Sequence, residues 1–408
     1  MCYAIPGKVV KIKDNVAFVD YFGEIKKAKM DFGKVGVGEY VYAQGGVIVD
    51  TTDEEDALKT LKIWKNVFFS LQKKDNELAG NESPEVPELS KEKMLEFLSA
   101  EGEDAEKMRK KANVIRKEQL KNSCCVHGII EFSNYCTMNC HYCGLRKDSA
   151  VERYRMSPDE IVKTAEDAVK LGFKALVLQS GEDPYYTDGI LCRIIEKIRK
   201  MGILVFISIG ERPFESYKKF YDAGARGVLL RFETSNPDLY SKIRPGKKLE
   251  DRINLIKKSF DMGYIVATGF MIGIPGQTDE DVLNDIQLTN ELTDEMFSFG
   301  PFIPHKNTPF ADAEKAGFNY SLNVIALSRF IAPESKILVT TALETLDEKG
   351  AEKGLMSGAN SLMIDVTPEK YRKNYDIYPG KAEREESINK TLKLLYSLGR
   401  APTDLGLK

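Results

Sequence analysis

No run of the chain's 408 residues approaches membrane-spanning length, and no signal-peptide core opens it. A net charge of −3 gives no reason to expect nucleic-acid binding. Seven cysteines, three of them clustered, do not make a secreted disulfide scaffold. The paired CxxC or HxxxH elements that hold zinc are missing. His141, between two of the clustered cysteines, is badly placed to close a tetrahedron with them. The cluster itself, Cys136, Cys140 and Cys143, lacks a fourth cysteine at a matching spacing. An iron–sulfur centre that only carries electrons normally has four.

What is present is a CxxxCxxC run, Phe132-Ser-Asn-Tyr-Cys-Thr-Met-Asn-Cys-His-Tyr-Cys-Gly-Leu-Arg146, directly after an apolar strand-like stretch. Three thiolates so placed can hold three irons of a cubane and leave the fourth iron open. An open iron binds a substrate or cofactor. Such a cluster is oxygen-labile, so a reducing, cytoplasmic setting is expected.

Two units are expected around this motif. Residues 1–74 read as a small all-β barrel with a C-terminal helix. Short alternating strands at Lys8–Ile12, Val16–Tyr21 and Val35–Tyr42 precede a helix from Asp53 to about Lys73. Residues 75–91 carry charge, two prolines and no periodicity, and read as a linker. In residues 92–408, two helical stretches lead into eight strand-then-helix units. Their strands are expected near Gly128–Ser133, Ala175–Ser180, Leu204–Ile209, Gly227–Phe232, Ile265–Phe270, Phe297–Phe302, Lys336–Thr340 and Ser361–Asp365. The fold class is therefore α/β, a (βα)8 TIM-type barrel, with chemistry at the C-terminal ends of the strands.

The cysteine pattern resembles the radical S-adenosylmethionine (SAM) superfamily. That resemblance implies a 4Fe-4S cluster on Cys136, Cys140 and Cys143, with S-adenosyl-L-methionine chelated to the open iron. An external reductant such as ferredoxin or flavodoxin would then drive cleavage of SAM to methionine and a 5′-deoxyadenosyl radical. Tyr142 occupies the superfamily's position beside adenine. In Gln179-Ser-Gly-Glu-Asp-Pro184, Ser180, Gly181 and Glu182 correspond to the turn that meets the methionyl ammonium, with Ser180 replacing a glycine. In Leu230-Arg-Phe-Glu-Thr-Ser235, Arg231 and Glu233 share one face of a strand. Opposite charges facing a lumen must pair with each other or meet a polar ligand. The resemblance sets Glu233 and Arg252 on polar groups of SAM; an internal salt bridge is the plainer alternative. Gly269-Phe-Met-Ile-Gly-Ile-Pro-Gly-Gln-Thr278 resembles the segment whose backbone lies against adenine.

A narrower resemblance follows from Gly128-Ile-Ile-Glu-Phe-Ser-Asn-Tyr-Cys136 and from the segments at 299–309, 340–347, 358–360 and 367–380. These look like the biotin-synthase-related group, and within it the HydE-type [FeFe]-hydrogenase maturases. By that resemblance Thr340 and Thr341 are candidate hydroxyl donors to substrate, and Tyr371 matches a SAM-contacting tyrosine. Glu344 stands where the family has a small residue and would change the polarity of the substrate pocket. The C-terminal region has no cysteines, so the accessory cluster of some relatives is not expected.

The N-terminal Met-Cys-Tyr-Ala-Ile-Pro-Gly-Lys-Val9 resembles the HypC family of hydrogenase-maturation chaperones, in which the second-position cysteine carries iron. Cys2 is thus a candidate ligand for an additional iron, although the family's partner histidine is replaced by Gln44. A docking barrel that merely retains Cys2 is the alternative. Cys192 reads as helix packing, and Cys124 and Cys125 as lying at the structural end of the barrel. His127 and His305 could line the lumen, where a satisfied buried histidine is the commoner finding.

Together the resemblances imply an enzyme acting on a small thiol- or iron-bound amino acid, or another organometallic substrate, in hydrogenase-type maturation with a partner protein. The rival readings are a methylornithine-synthase-like radical mutase and a non-catalytic iron–sulfur scaffold or metallochaperone.

Overall fold

The computed structural model describes residues 5–80, 83–293, 295–381 and 388–407. The first five strands are β1 (Pro6–Lys13), β2 (Val16–Tyr21), β3 (Glu24–Lys29), β4 (Tyr40–Gln44) and β5 (Val47–Thr52); burial alternates along β2 and β3, whereas β1, β4 and β5 bury consecutive residues. The five strands close into a barrel in the order β1-β2-β3-β5-β4. Asp14-Asn15, Phe22-Gly23 and Gly45-Gly46 join consecutive strands and have positive φ at both positions. That is the two-residue turn whose twist matches the strands. Phe22, strained at φ 55°, is held by an edge-on contact with Phe69, ring centroids 5.9 Å apart. Neither β3 nor β5 is expected from the sequence pattern, and residues 35–39, expected as strand, are irregular.

Asp53 caps the helix Glu54–Ala79 by accepting from the Asp56 amide at 2.9 Å. Phe68 and Leu71 of this helix are buried in the small barrel's core. The helix runs on past Lys73 because Asp75 is buried and paired. Arg116 reaches it at 2.7 and 2.9 Å, and Arg400 at 3.1 Å. Breaking such a buried pair costs about 3–5 kcal/mol.

Helices Lys91–Leu98 and Gly102–Leu120 lead into the second unit. Its strands are β6 (Cys125–Ser133), β7 (Ala175–Ser180), β8 (Leu204–Ser208), β9 (Ala225–Leu229), β10 (Ile265–Thr268), β12 (Met296–Phe297), β14 (Lys336–Val339) and β15 (Ser361–Asp365). All pair in parallel, and β15 closes on β6 from Ser361↔Cys125 to Asp365↔Ile129. The expected eight-stranded barrel is therefore the observed one. Two strands break and resume as the short pair β11 (Met271–Ile272) and β13 (Gly300–Pro301). Gly269 sits at the break, where a Cβ would lie 2.3 Å from the Ser298 carbonyl oxygen. β6 begins three residues earlier than expected, which takes Cys125 and His127 into the strand.

The small barrel plugs the N-terminal end of the large one. Val47 and Val49 of β5 pack with Ile129, Ala175, Val177, Leu204 and Phe206. Around this apolar seam, Lys174 pairs with Asp50 and Arg226 with Asp31, each at 2.9 Å. No helix among the described residues is long and apolar enough to cross a membrane.

Candidate active site

The loop after β6 is tied down before any cofactor is considered. Asn134 Nδ2 donates to the carbonyls of Glu152 and Asn374 at 2.7 Å, and its Oδ1 accepts from the Tyr154 amide. Arg153 gathers the carbonyls of Asn134, Leu145 and Arg146. These contacts hold the cysteine loop over the C-terminal mouth of the barrel. Gly181 lets the β7 turn come against it, since a Cβ there would lie 2.3 Å from the Tyr135 carbonyl oxygen. The Met138 and Glu182 amides point at Cys136 Sγ, at 3.5 and 3.4 Å.

A cavity of about 340 Å³ runs from this loop into the lumen. Cys136, Cys140, Cys143, Tyr142, Ser180, Gly181, Glu182, Glu233, Arg252, Thr340 and Thr341 all line it. Burial pushes all three thiols up, so occupation by metal must displace their protons. Three thiols from one loop on one wall, with amides directed at a sulfur and paired charges beside them, fit a site-differentiated cluster and an amino-acid-bearing ligand.

The charges form one network. Arg244 Nη2 meets Glu182 Oε1 at 3.1 Å, and the Glu211 amide donates to the same oxygen at 3.2 Å. Glu211 in turn holds Arg252 Nε and Lys247 Nζ at 2.9 Å. Arg252 is thus already oriented by a carboxylate. Glu233 has a left-handed backbone, φ 70°, a conformation costing about 1–3 kcal/mol that clusters at functional sites. Its Oε2 lies 3.0 Å from Arg231 Nη2, yet the angle is not that of a hydrogen bond and the buried oxygen has no hydrogen-bond partner. The side-by-side placement of Arg231 and Glu233 is as expected, although β9 ends before them, at Leu229.

On the opposite wall, Thr341 Oγ1 bonds the Tyr378 hydroxyl, and the buried Thr340 Oγ1 has no hydrogen-bond partner. Below them Lys381 Nζ sits 2.6 Å from Glu131 and 3.5 Å from Asp365. Burial raises the Glu131 carboxyl, as does Asp365, while Lys381 opposes both. Burial disfavours the charged Lys381, but Glu131 and Asp365 outweigh it and the ammonium is held.

Two expected residues stand elsewhere. Glu344 is not among the cavity-lining residues; it lies three residues after Thr341 on the helix Thr341–Leu346. Tyr371 is also outside the lining. Its hydroxyl donates to Glu160 Oε1 at 2.7 Å and its ring stacks on Tyr154, drawn to the cap of helix Pro158–Lys170. Tyr375 and Tyr378, four and seven residues further on, reach the cavity instead. Cys2 lies outside the described residues. Cys192 is on a helix, and His305 binds Asp376 at 2.9 Å. Sequence reasoning missed Arg153, Glu211, Arg244, Lys381 and Tyr378, all in loops. It also missed Glu131 and Asp365, which did leave a signal: each lies on an expected strand, two residues from cavity-lining Ile129 or Met363 on the same face.

Comparison with known proteins gives a consistent picture. The radical SAM superfamily model matches residues 130–289, the HupF/HypC family model residues 1–64, and the biotin and thiamin synthesis associated domain residues 298–401. The chain is 42% identical to the [FeFe] hydrogenase maturase subunit HydE of Thermotoga maritima, over 79% of this chain and 94% of that one. It is 27% identical to a 3-methylornithine synthase of Methanosarcina acetivorans, over 77% and 91%. Among solved structures, methylornithine synthase aligns with a TM-score of 0.71 at 25% identity, covering 82% of this chain and 97% of that one. HydG from Carboxydothermus hydrogenoformans shares the fold, with a TM-score of 0.66 at 17% identity, over 85% and 81%.

Proposed function

Since the chain belongs to the HydE family of radical SAM enzymes, we propose that its cavity divides into a cofactor half under the cysteine loop and a substrate half against Thr340, Thr341 and Lys381. Its cofactors are a 4Fe-4S cluster and SAM. When bound and reduced, they supply a 5′-deoxyadenosyl radical. In the cofactor half Cys136, Cys140 and Cys143 are the iron ligands. Tyr142 packs beside the adenosyl group, and Gly181 and Glu182 meet the methionyl ammonium. Glu233, Arg244 and Arg252 face the remaining polar groups, with Glu211 as the positioning residue for Arg252.

The substrate half combines hydroxyls, a held ammonium and two carboxylates, which suits a small zwitterionic substrate. The reading we favour is a thiol- or iron-bound amino acid on the way to a hydrogenase cofactor, delivered within a reducing cytoplasm. Ferredoxin or flavodoxin would be the electron source, and the HypC-like module would receive or present iron through Cys2 to a partner protein. One continuous cavity joining three thiols to this polar wall carries the reading. Glu344, outside the cavity lining, lends no support to the rival reading of a mutase that grips a free amino acid's ammonium there.

The deciding assay is deoxyadenosine formation from SAM by anaerobically reconstituted, dithionite-reduced protein. We expect formation in wild type and its loss in Cys140→Ser. A fully loaded cluster without formation would leave a scaffold role. Cys2→Ser should impair maturation while sparing SAM cleavage; unimpaired maturation sinks the delivery role.

A further inference from the structure

β6 presents Cys125, His127, Ile129 and Glu131 on one face, at two-residue intervals down the lumen. Ile129 and Glu131 line the catalytic cavity. Cys125 and His127 lie deeper, where the small barrel seals the floor and Gln44 Nε2 comes within 3.9 Å of Cys125 Sγ. All three side chains are buried, none more than 3% exposed.

Cys125 Sγ lies 3.6 Å from His127 Nε2. A tetrahedral ion bound by a thiolate at about 2.3 Å and an imidazole nitrogen at about 2.1 Å holds those two atoms about 3.6 Å apart. The pair therefore already has the bite of two ligands on one metal. A half-turn of the Gln44 amide puts its oxygen where Nε2 stands, adding a third donor from the other barrel. A thiol–imidazole hydrogen bond uses the same atoms, and only metal binding separates the two readings.

We propose that Cys125, His127 and Gln44 form a site for a divalent transition-metal ion at the seam between the two barrels, distinct from the iron–sulfur cluster. A sulfur, nitrogen and oxygen donor set suits borderline ions such as Zn²⁺ or Fe²⁺. A non-protein donor completes the tetrahedron.

The test uses the cluster-loaded full-length protein, stripped of loosely held metal by a chelator and equilibrated with zinc alone. We expect one zinc per chain beyond the cluster iron, with sulfur and imidazole ligation in zinc-edge X-ray absorption. Cys125→Ser should weaken zinc binding at least about tenfold and leave iron content and deoxyadenosine formation unchanged. Gln44→His, which needs no tolerance of a lost thiol, should tighten it by about as much. Absence of the extra zinc in wild type, or equal zinc in wild type and Cys125→Ser, overturns the site. An affinity unmoved by Gln44→His removes Gln44 from it.

Discussion

The two ends of the large barrel are built from opposite materials. Its C-terminal mouth gathers Glu182, Glu211, Glu233, Arg244 and Arg252 around the cysteine loop, with Glu131, Asp365 and Lys381 just below. Its N-terminal end is an apolar plug of Val47, Val49, Val177, Leu204 and Phe206 contributed by two domains, with Cys125, His127 and Gln44 buried beside it. Buried charges cost several kcal/mol each unless paired, whereas each buried valine or leucine contributes about 1.5–3 kcal/mol. One end thus spends on ligand recognition what the other gains in packing. The same division of labour holds generally for barrels of this type.

Glycine substitutions at the two ends break the comparison most sharply. Gly181→Ala drives a Cβ to 2.3 Å from the Tyr135 carbonyl oxygen. The β7 turn or the cysteine loop must move, and a shift of about 1 Å at a catalytic site costs about 10²-fold in rate. Deoxyadenosine formation should fall by that factor with the melting temperature little changed. Gly45→Ala, at φ 56° in the plug, meets only the flexible ends of Ile265 and Leu204. It should cost about 1–2 kcal/mol of stability and leave deoxyadenosine formation intact. Denaturant titration beside the activity assay reads both; an inert Gly181→Ala would refute the tight loop packing.

A second substitution divides the mouth itself. Lys381→Met leaves Glu131 and Asp365 buried without their cation, at about 3–5 kcal/mol. Substrate-coupled turnover should drop about 10–100-fold, while deoxyadenosine release in the absence of substrate persists. Loss of both activities together would place Lys381 in the cofactor half.

Legibility followed the same division. The strands were readable because their apolar runs pack on both faces, and the cysteine loop because its spacing is chemical rather than conformational. β3 was not, since Glu-Ile-Lys-Lys-Ala-Lys buries only Ala28 and its two apolar residues, Ile25 and Ala28, fall on opposite faces of the strand. The linker at 75–91 began later than composition implies, because a partner 41 residues away keeps Asp75 helical. At the mouth the cysteine motif, Glu233 and Arg252 were anticipated, whereas Glu131 and Asp365 were not, although both lie on strands that were. Arg244, Glu211 and Lys381 come from loops without periodicity, and Lys381 meets Glu131 across 250 residues. Tyr371 and Glu344 show the converse: a family position can be matched in sequence and still lie outside the cavity lining.

A pH series separates buried polarity from catalysis near the mouth. Asp285 receives the Ser235 amide, and Gln277 Nε2 at 2.8 Å, behind the Glu233 segment. Burial raises its pKa to about 7, against those hydrogen bonds. The unfolded carboxyl titrates near 3.9, so this group's contribution is full below about pH 4 and is lost as pH rises through about 7. Asp285→Asn should flatten that decline, on the order of 1–3 kcal/mol between pH 5 and 8. Guanidinium midpoints across the range measure it, and parallel wild-type and variant curves would rule it out.

The smallest effect belongs to the rim of the plug. Lys174 and Asp50 meet at 2.9 Å with side chains 18% and 41% exposed. Water screens such a pair, and measured couplings for exposed ion pairs run about 0.2–1 kcal/mol. A double-mutant cycle with Lys174→Ala and Asp50→Ala should return a coupling in that range and no change in deoxyadenosine formation. Because the apolar residues inside the rim carry the closure, salt should erode the coupling without separating the domains. A coupling well above 1 kcal/mol, or a loss of activity, would mean that the rim transmits domain position to the mouth, and that the two ends are not independent.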